Sequence, residues 1–163
     1  MHILLRLAAA AALALGIGAT AALADDTADS AGAIRHLMMS TFDRPDSRLS
    51  VEPVTVEGDI AVAGWAQGDM GGRALLRRKD GNWSLVLCSG DALRDPKALQ
   101  TFGLPAAQAD TLANAVVAAE AKLDPALLAK FASFDGVVMM DGNGQHPPAG
   151  DHGAGHHTGG AEN

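Results

Sequence analysis

Gly64 to Gly90 reads GWAQGDMGGRALLRRKDGNWSLVLCSG, and the rest of the chain is arranged around this stretch. It holds both tryptophans, Trp65 and Trp83, and the only cysteine, Cys88. Apolar residues alternate with a period of two: Trp83, Leu85 and Leu87 point one way, Val86 and Cys88 the other. That period is the signature of a strand. Between two such runs stands Asp80-Gly81-Asn82, and Asp-Gly supplies the positive φ that a tight hairpin turn requires. Gly68-Asp69-Met70-Gly71-Gly72 reads as a second, looser connection of the same kind. The stretch therefore predicts a three-stranded antiparallel meander with Cys88 at the exit of its last strand.

Working outward toward the N-terminus, Gly58-Asp59 forms a two-residue hairpin turn, preceded by Val51, Val54 and Val56. Pro53 cannot donate to a ladder, which restricts the early part of this first strand to an edge or an entry. Four strands follow one another, about 51–57, 59–67, 72–79 and 82–88. Leu75 and Leu76 are adjacent, so the central pair of strands is apolar on both faces for part of its length, and one face is expected to be covered by helices.

From Asp29 to Phe42 the period is helical, with Ile34, Leu37, Met38, Thr41 and Phe42 on one face. Asp29 or Ser30 is the expected cap, and Arg44-Pro45 the expected stop. His36 and Met39, three positions apart, share the opposite flank. Beyond Gly90, Asp95-Pro96 and Asp124-Pro125 each pair a capping aspartate with proline at the first helical position. They open a short helix through Phe102 and a later one carrying Leu127, Leu128 and Phe131, closed by Gly136. Between them a longer helix runs from Pro105 to about Lys122, with Leu112, Val116, Ala119 and Leu123 as its buried stripe. Val137 to Met140 fits a short last strand. The fold class is α+β: an N-terminal helix, a four-stranded antiparallel meander, then two to three helices on one face of the sheet.

The first 24 residues have a different character. Arg6 precedes an apolar run from Leu7 to Leu23, and Ala22-Leu23-Ala24 is a small-x-small cleavage pattern followed at once by Asp25-Asp26. The expectation is a signal peptide cut after Ala24, a periplasmic product and no membrane span in the mature protein. Residues 25–140 are then one domain, and removal of Arg6 takes the formal net charge from −7 to −8. Such acidity disfavours nucleic acid as a partner.

Residues 141–163, DGNGQHPPAGDHGAGHHTGGAEN, offer no apolar side chain beyond alanine and proline. They read as a flexible tail, since burial cannot offset their ordering entropy. Its His146, His152, His156 and His157 present clustered imidazoles suited to copper, nickel or zinc, at a spacing that fits no closed structural zinc site. Methionine adds soft ligands that favour Cu(I). Met38 reads as core, whereas Met39 beside His36, and Met70 in its glycine-rich loop, are the candidate ligands.

Cys88 has three readings, a nucleophile, a Cu(I) ligand or a buried hydrophobe; the buried one leads, because a nucleophilic cysteine needs a histidine base and only His36 lies in the folded part. Arg73, Arg77, Arg78 and Lys79 read as a solvated basic run. No paired-carboxylate site, phosphate loop, Ser-His-Asp order or CxxC is present, and the expectation is a protein that is not an enzyme.

Thr41 to Leu93 resembles the bacterial copper uptake system-associated proteins. The resemblance is carried by Thr41-Phe42-Asp43 with Pro45, Gly64 to Gln67, Gly71 to Leu76, and Leu87-Cys88-Ser89-Gly90-Asp91. It continues more loosely through Glu120 and Leu123 to Phe134-Asp135-Gly136-Val137-Val138, and the His-rich tail lies outside it. It implies a small exported protein in a periplasmic copper-handling setting, with copper chaperones or transporters as partners. Together with the soft ligands, it leads to the expectation of an accessory protein of copper uptake or delivery that binds copper weakly. The alternative is a metal-free periplasmic module that binds a protein or small ligand through the sheet face.

Overall fold

Every hairpin turn of the meander is a two-residue turn whose first residue has positive φ, and these turns fix the register of the sheet. A computed structural model describes residues 18–140, with side chains from residue 26 onward. Strands β1 (Leu49–Glu57), β2 (Ile60–Gln67), β3 (Met70–Lys79) and β4 (Asn82–Ser89) pair antiparallel in sequence order, and β5 (Val137–Met139) adds beside β4. Gly58 (φ 61°), Gly68 (φ 61°) and Asp80-Gly81 (φ 51° and 78°) make the turns. The connection expected to be loose is tight. Gln67 pairs with Met70, so only Gly68-Asp69 turns and Met70 to Gly72 belong to β3. Pro53 lies in the edge strand β1, where the register shifts between Val51 and Val54.

One irregularity reorders the faces of β4. Leu75 pairs with Leu87 and Leu76 with Leu85, which leaves Val86 as the extra residue of a bulge. Trp83 and Leu85 therefore share a face with Cys88, and Leu87 turns to the opposite one. This differs from the strict alternation expected along β4. The Val86 carbonyl accepts instead from Met140 N at 2.8 Å, which helps to hold β5 at the sheet edge.

Helices cover both faces. Helix α1 (Gly18–Phe42) packs Ile34 and Met38 against Ala61, Ala63, Ala74, Leu76 and Cys88. It begins well before the expected cap: Asp29 and Ser30 are interior residues, and Ser30 Oγ is 3.3 Å from the Arg78 guanidinium, which donates to it. The opposite face carries the C-terminal helices as expected. Helix α2 (Pro96–Thr101) and α3 (Ala106–Glu120) bury Leu99, Leu112 and Val116 on Ile60, Val62, Leu75 and Leu87. Asp95 and Asp124 cap α2 and α4 (Pro125–Ala132) by accepting from Lys97 N and Ala126 N. A 3₁₀ turn, Asp91–Arg94, joins β4 to α2.

The buried stripe of α3 is Ala109, Leu112, Ala113, Val116 and Glu120, so a carboxylate occupies the place expected for Ala119 and Leu123. Its partner is Arg73 of β3, fully buried, whose Nε and Nη2 donate to the two Glu120 oxygens at 2.6 and 2.9 Å. Arg73 also reaches Asp91 at 3.1 Å, Arg94 meets Glu120 at 3.2 Å, and the Phe131 ring lies 5.4 Å from the Arg73 guanidinium carbon. The network is charge-balanced, with two arginines and two carboxylates. Close approach of α4 to the sheet depends on Gly64, where an added Cβ would sit 2.6 Å from Phe131 Cε2 and 2.7 Å from Glu52 O.

Among the described residues no helix is long and apolar enough to cross a membrane. The expected tail, with His146, His152, His156 and His157, lies outside the described residues, as do residues 1–17 of the expected leader.

Candidate functional site

At the end of the sheet marked by the Gly68-Asp69 turn, α1 and β5 leave a cavity of about 280 Å³. Met38 and Phe42, one helical turn apart on α1, form one wall. Leu49 opens β1, Trp65 and Gln67 close β2, and Met70 opens β3, so each strand end contributes to the floor or the mouth. Cys88, at the end of β4, faces the cavity because of the Val86 bulge. Phe134, Val138 and Met140 complete it from the last segment.

Glycine makes room for the aromatic wall. Gly72 pairs with Trp65, and an added Cβ there would meet Phe134 Cδ2 at 2.9 Å and Trp65 Cζ2 at 3.1 Å. Without it, the Trp65 and Phe134 rings pack edge to face, with centroids 5.8 Å apart and planes at 81°. The rim is held by polar contacts. Gln67 Nε2 donates to the Phe42 carbonyl at 2.8 Å and to the Ser47 carbonyl at 2.7 Å, and Asp43 accepts from Leu49 N at 2.8 Å. Trp65 Nε1 is buried without a hydrogen-bond partner among the described residues.

Among the described residues Cys88 is the one titratable side chain lining the cavity. Burial away from water disfavours its thiolate and pushes its pKa up to about 12, so it is a protonated thiol at neutral pH. That chemistry fits a buried residue and does not make a free nucleophile. Among the described residues there is no group of three or more His, Cys, Asp or Glu side chains arranged to hold a metal. The sulfur donors of the cavity are instead three thioethers and one thiol, beside the amide of Gln67.

Of the expected ligands among the described residues, the structure brings only one to this place. Met70 is 64% exposed and lines the cavity, although as the first residue of β3 and not as a loop residue. His36 is exposed on α1, and Met39 is half-buried against the α1-side core; neither lines the cavity. Met38 is core, as expected, yet also lines the cavity with Met140 and Cys88. Sequence reasoning missed this grouping. The spacing of Met38 and Phe42 on one helical face was a signal for one wall, but the bulge that turns Cys88 toward them has no sequence mark.

The expected basic run disperses. Arg73 is buried in its carboxylate network, a correction to its reading as part of a solvated edge, since Glu120 lies across from it. Arg77 donates to the Phe102 carbonyl at 3.1 Å. Arg78 pairs with Asp59 at 2.8 Å and stacks over Trp83 at 5.4 Å. No family model, curated protein or solved structure matches the chain.

Proposed function

We propose that the protein is an exported accessory protein of copper uptake or delivery, which holds copper weakly and passes it on unchanged. The observation that carries this reading is the position of Met70, open to solvent at the edge of a cavity whose walls hold three more sulfurs. Thioethers are neutral, exchangeable ligands for copper, in keeping with delivery. The resemblance of Thr41–Leu93 to copper uptake system-associated proteins supports the same setting, with periplasmic copper chaperones or transporters as partners. In this reading the tail histidines His146, His152, His156 and His157 capture the ion, and His36 with Met39 gives a subsidiary pair on α1. Deletion of residues 141–163 then weakens copper binding in a competition titration. Unchanged affinity removes the tail from the mechanism.

The second reading, a metal-free periplasmic module, is favoured by Trp65 Nε1, a buried donor without a partner among the described residues, beside an apolar cavity. Both faces of the sheet carry helices, so a small ligand with one acceptor atom would enter at the cavity. This reading expects no copper retained against a chelator and a partner or ligand recovered from periplasmic extract.

A further inference from the structure

Six sulfur-bearing residues lie in the described part of the chain, and four of them, from separate elements, line one cavity: Met38, Met70, Cys88 and Met140. The other two, Met39 and Met139, do not line it. The remaining walls are aromatic and aliphatic apart from Gln67, whose amide nitrogen is committed to two carbonyls. Among the described residues no carboxylate, imidazole or ammonium group lines the cavity. A hard cation would exchange its water here for one side-chain oxygen at most, that of the Gln67 amide, whereas thioether and thiolate sulfur select soft monovalent copper.

We propose that this cavity is a Cu(I) site, with the thioethers of Met38, Met70 and Met140 and the sulfur of Cys88 as its ligands. The inference rests on the copper reading above and extends it by naming the oxidation state and the ligand set. An uncompensated positive charge is costly in apolar surroundings. When the ion binds, the Cys88 S–H bond breaks, an S–Cu bond forms and the proton passes to solvent, which leaves the site neutral. No electron is transferred, so copper arrives and leaves as Cu(I). Met38 (2% exposed) and Cys88 (6%) form the closed side of the site, and Met70 (64%) forms its open side. Met70 is therefore the first ligand an incoming ion meets. Methionine has three rotatable bonds and a polarizable sulfur, which suits it to closing around an ion inside a cavity of about 280 Å³.

The test uses the full chain with 13C-methyl methionine, titrated with Ag(I) as a redox-inert stand-in. A second titration uses anaerobic Cu(I) against a chromogenic Cu(I) chelator. The methyl signals of Met38, Met70 and Met140 are expected to move together at one equivalent, while those of Met39 and Met139 stay in place. Met70→Leu and Met140→Leu keep side-chain volume and are each expected to weaken Cu(I) binding by about tenfold or more. Met139→Leu is expected to bind as the parent does. Equal movement of the Met39 or Met139 signals, or parental Cu(I) affinity in both cavity variants, overturns the site. If copper is retained by the parent and both cavity variants but lost with residues 141–163, the site falls and the copper reading stands. If the full chain retains neither ion, both fall.

Discussion

Cys88 shows how one side chain records its surroundings. Its thiol faces sulfur, aromatic and aliphatic neighbours, and burial lifts its pKa from 9.0 to about 12. In the unfolded chain the thiol loses its proton above pH 9, while in the folded protein it keeps it up to about pH 12. The folded-state value is the raised one, so this contribution to stability is fully present below pH 9 and lost as pH rises toward 12. The slope is at most about 1.4 kcal/mol per pH unit. Urea midpoints of the parent and of Cys88→Ala, compared from pH 8 to pH 10.5, isolate it, because other titrating groups are common to both. The stability difference between the two proteins is expected to shift against the parent above pH 9. A difference that does not change with pH would mean that the thiol is not shielded.

At the scale of elements, the fold depends on one polar clamp between α3 and β3. Arg73 and Glu120 are both buried and doubly hydrogen-bonded, and each is the other's closest charge partner. Removing the carboxylate leaves a buried guanidinium with Asp91 alone, at 3.1 Å and largely exposed. Glu120→Ala is therefore expected to cost about 3–5 kcal/mol in urea unfolding. Arg48→Ala, which breaks the exposed-side pair with Asp43 at 2.9 Å, is expected to cost about 1 kcal/mol or less. Equal effects would contradict the account of the clamp.

The clamp also marks where sequence reading succeeds and where it stops. Asp80-Gly81, Asp95-Pro96 and Asp124-Pro125 were legible because turn and cap chemistry is local, spanning two to four residues. Glu120 carried a signal that the expected stripe passed over. It continues the spacing of Ala109, Leu112, Ala113 and Val116, and a charge on a buried stripe calls for a buried partner. The Val86 bulge was not legible, because only pairing with β3 reveals it, and without the bulge Cys88 faces away from α1. The start of α1 was misplaced for a simpler reason: nothing in the alanine-rich run after Gly18 breaks a helix before Asp29.

Across the whole molecule, one sheet separates two cores that do different work. On one side α2 and α3 close on Ile60, Val62, Leu75 and Leu87, a buried apolar layer. On the other side α1 covers the sheet less completely, and the space left near its C-terminal end is lined with sulfur. The meander is thus the support, and its strand ends, α1 and the segment after α4 enclose the cavity for which the copper site is proposed. Of the metal residues expected from sequence within the described part, Met70 alone lies there, joined by three sulfurs that only the fold assembles. The central claim is that this domain holds reduced copper by sulfur. X-ray absorption at the copper edge, on the full chain loaded with less than one equivalent of Cu(I) under reducing conditions, tests it most directly. The account predicts a first shell of sulfur scatterers, and a shell made only of nitrogen and oxygen would contradict it.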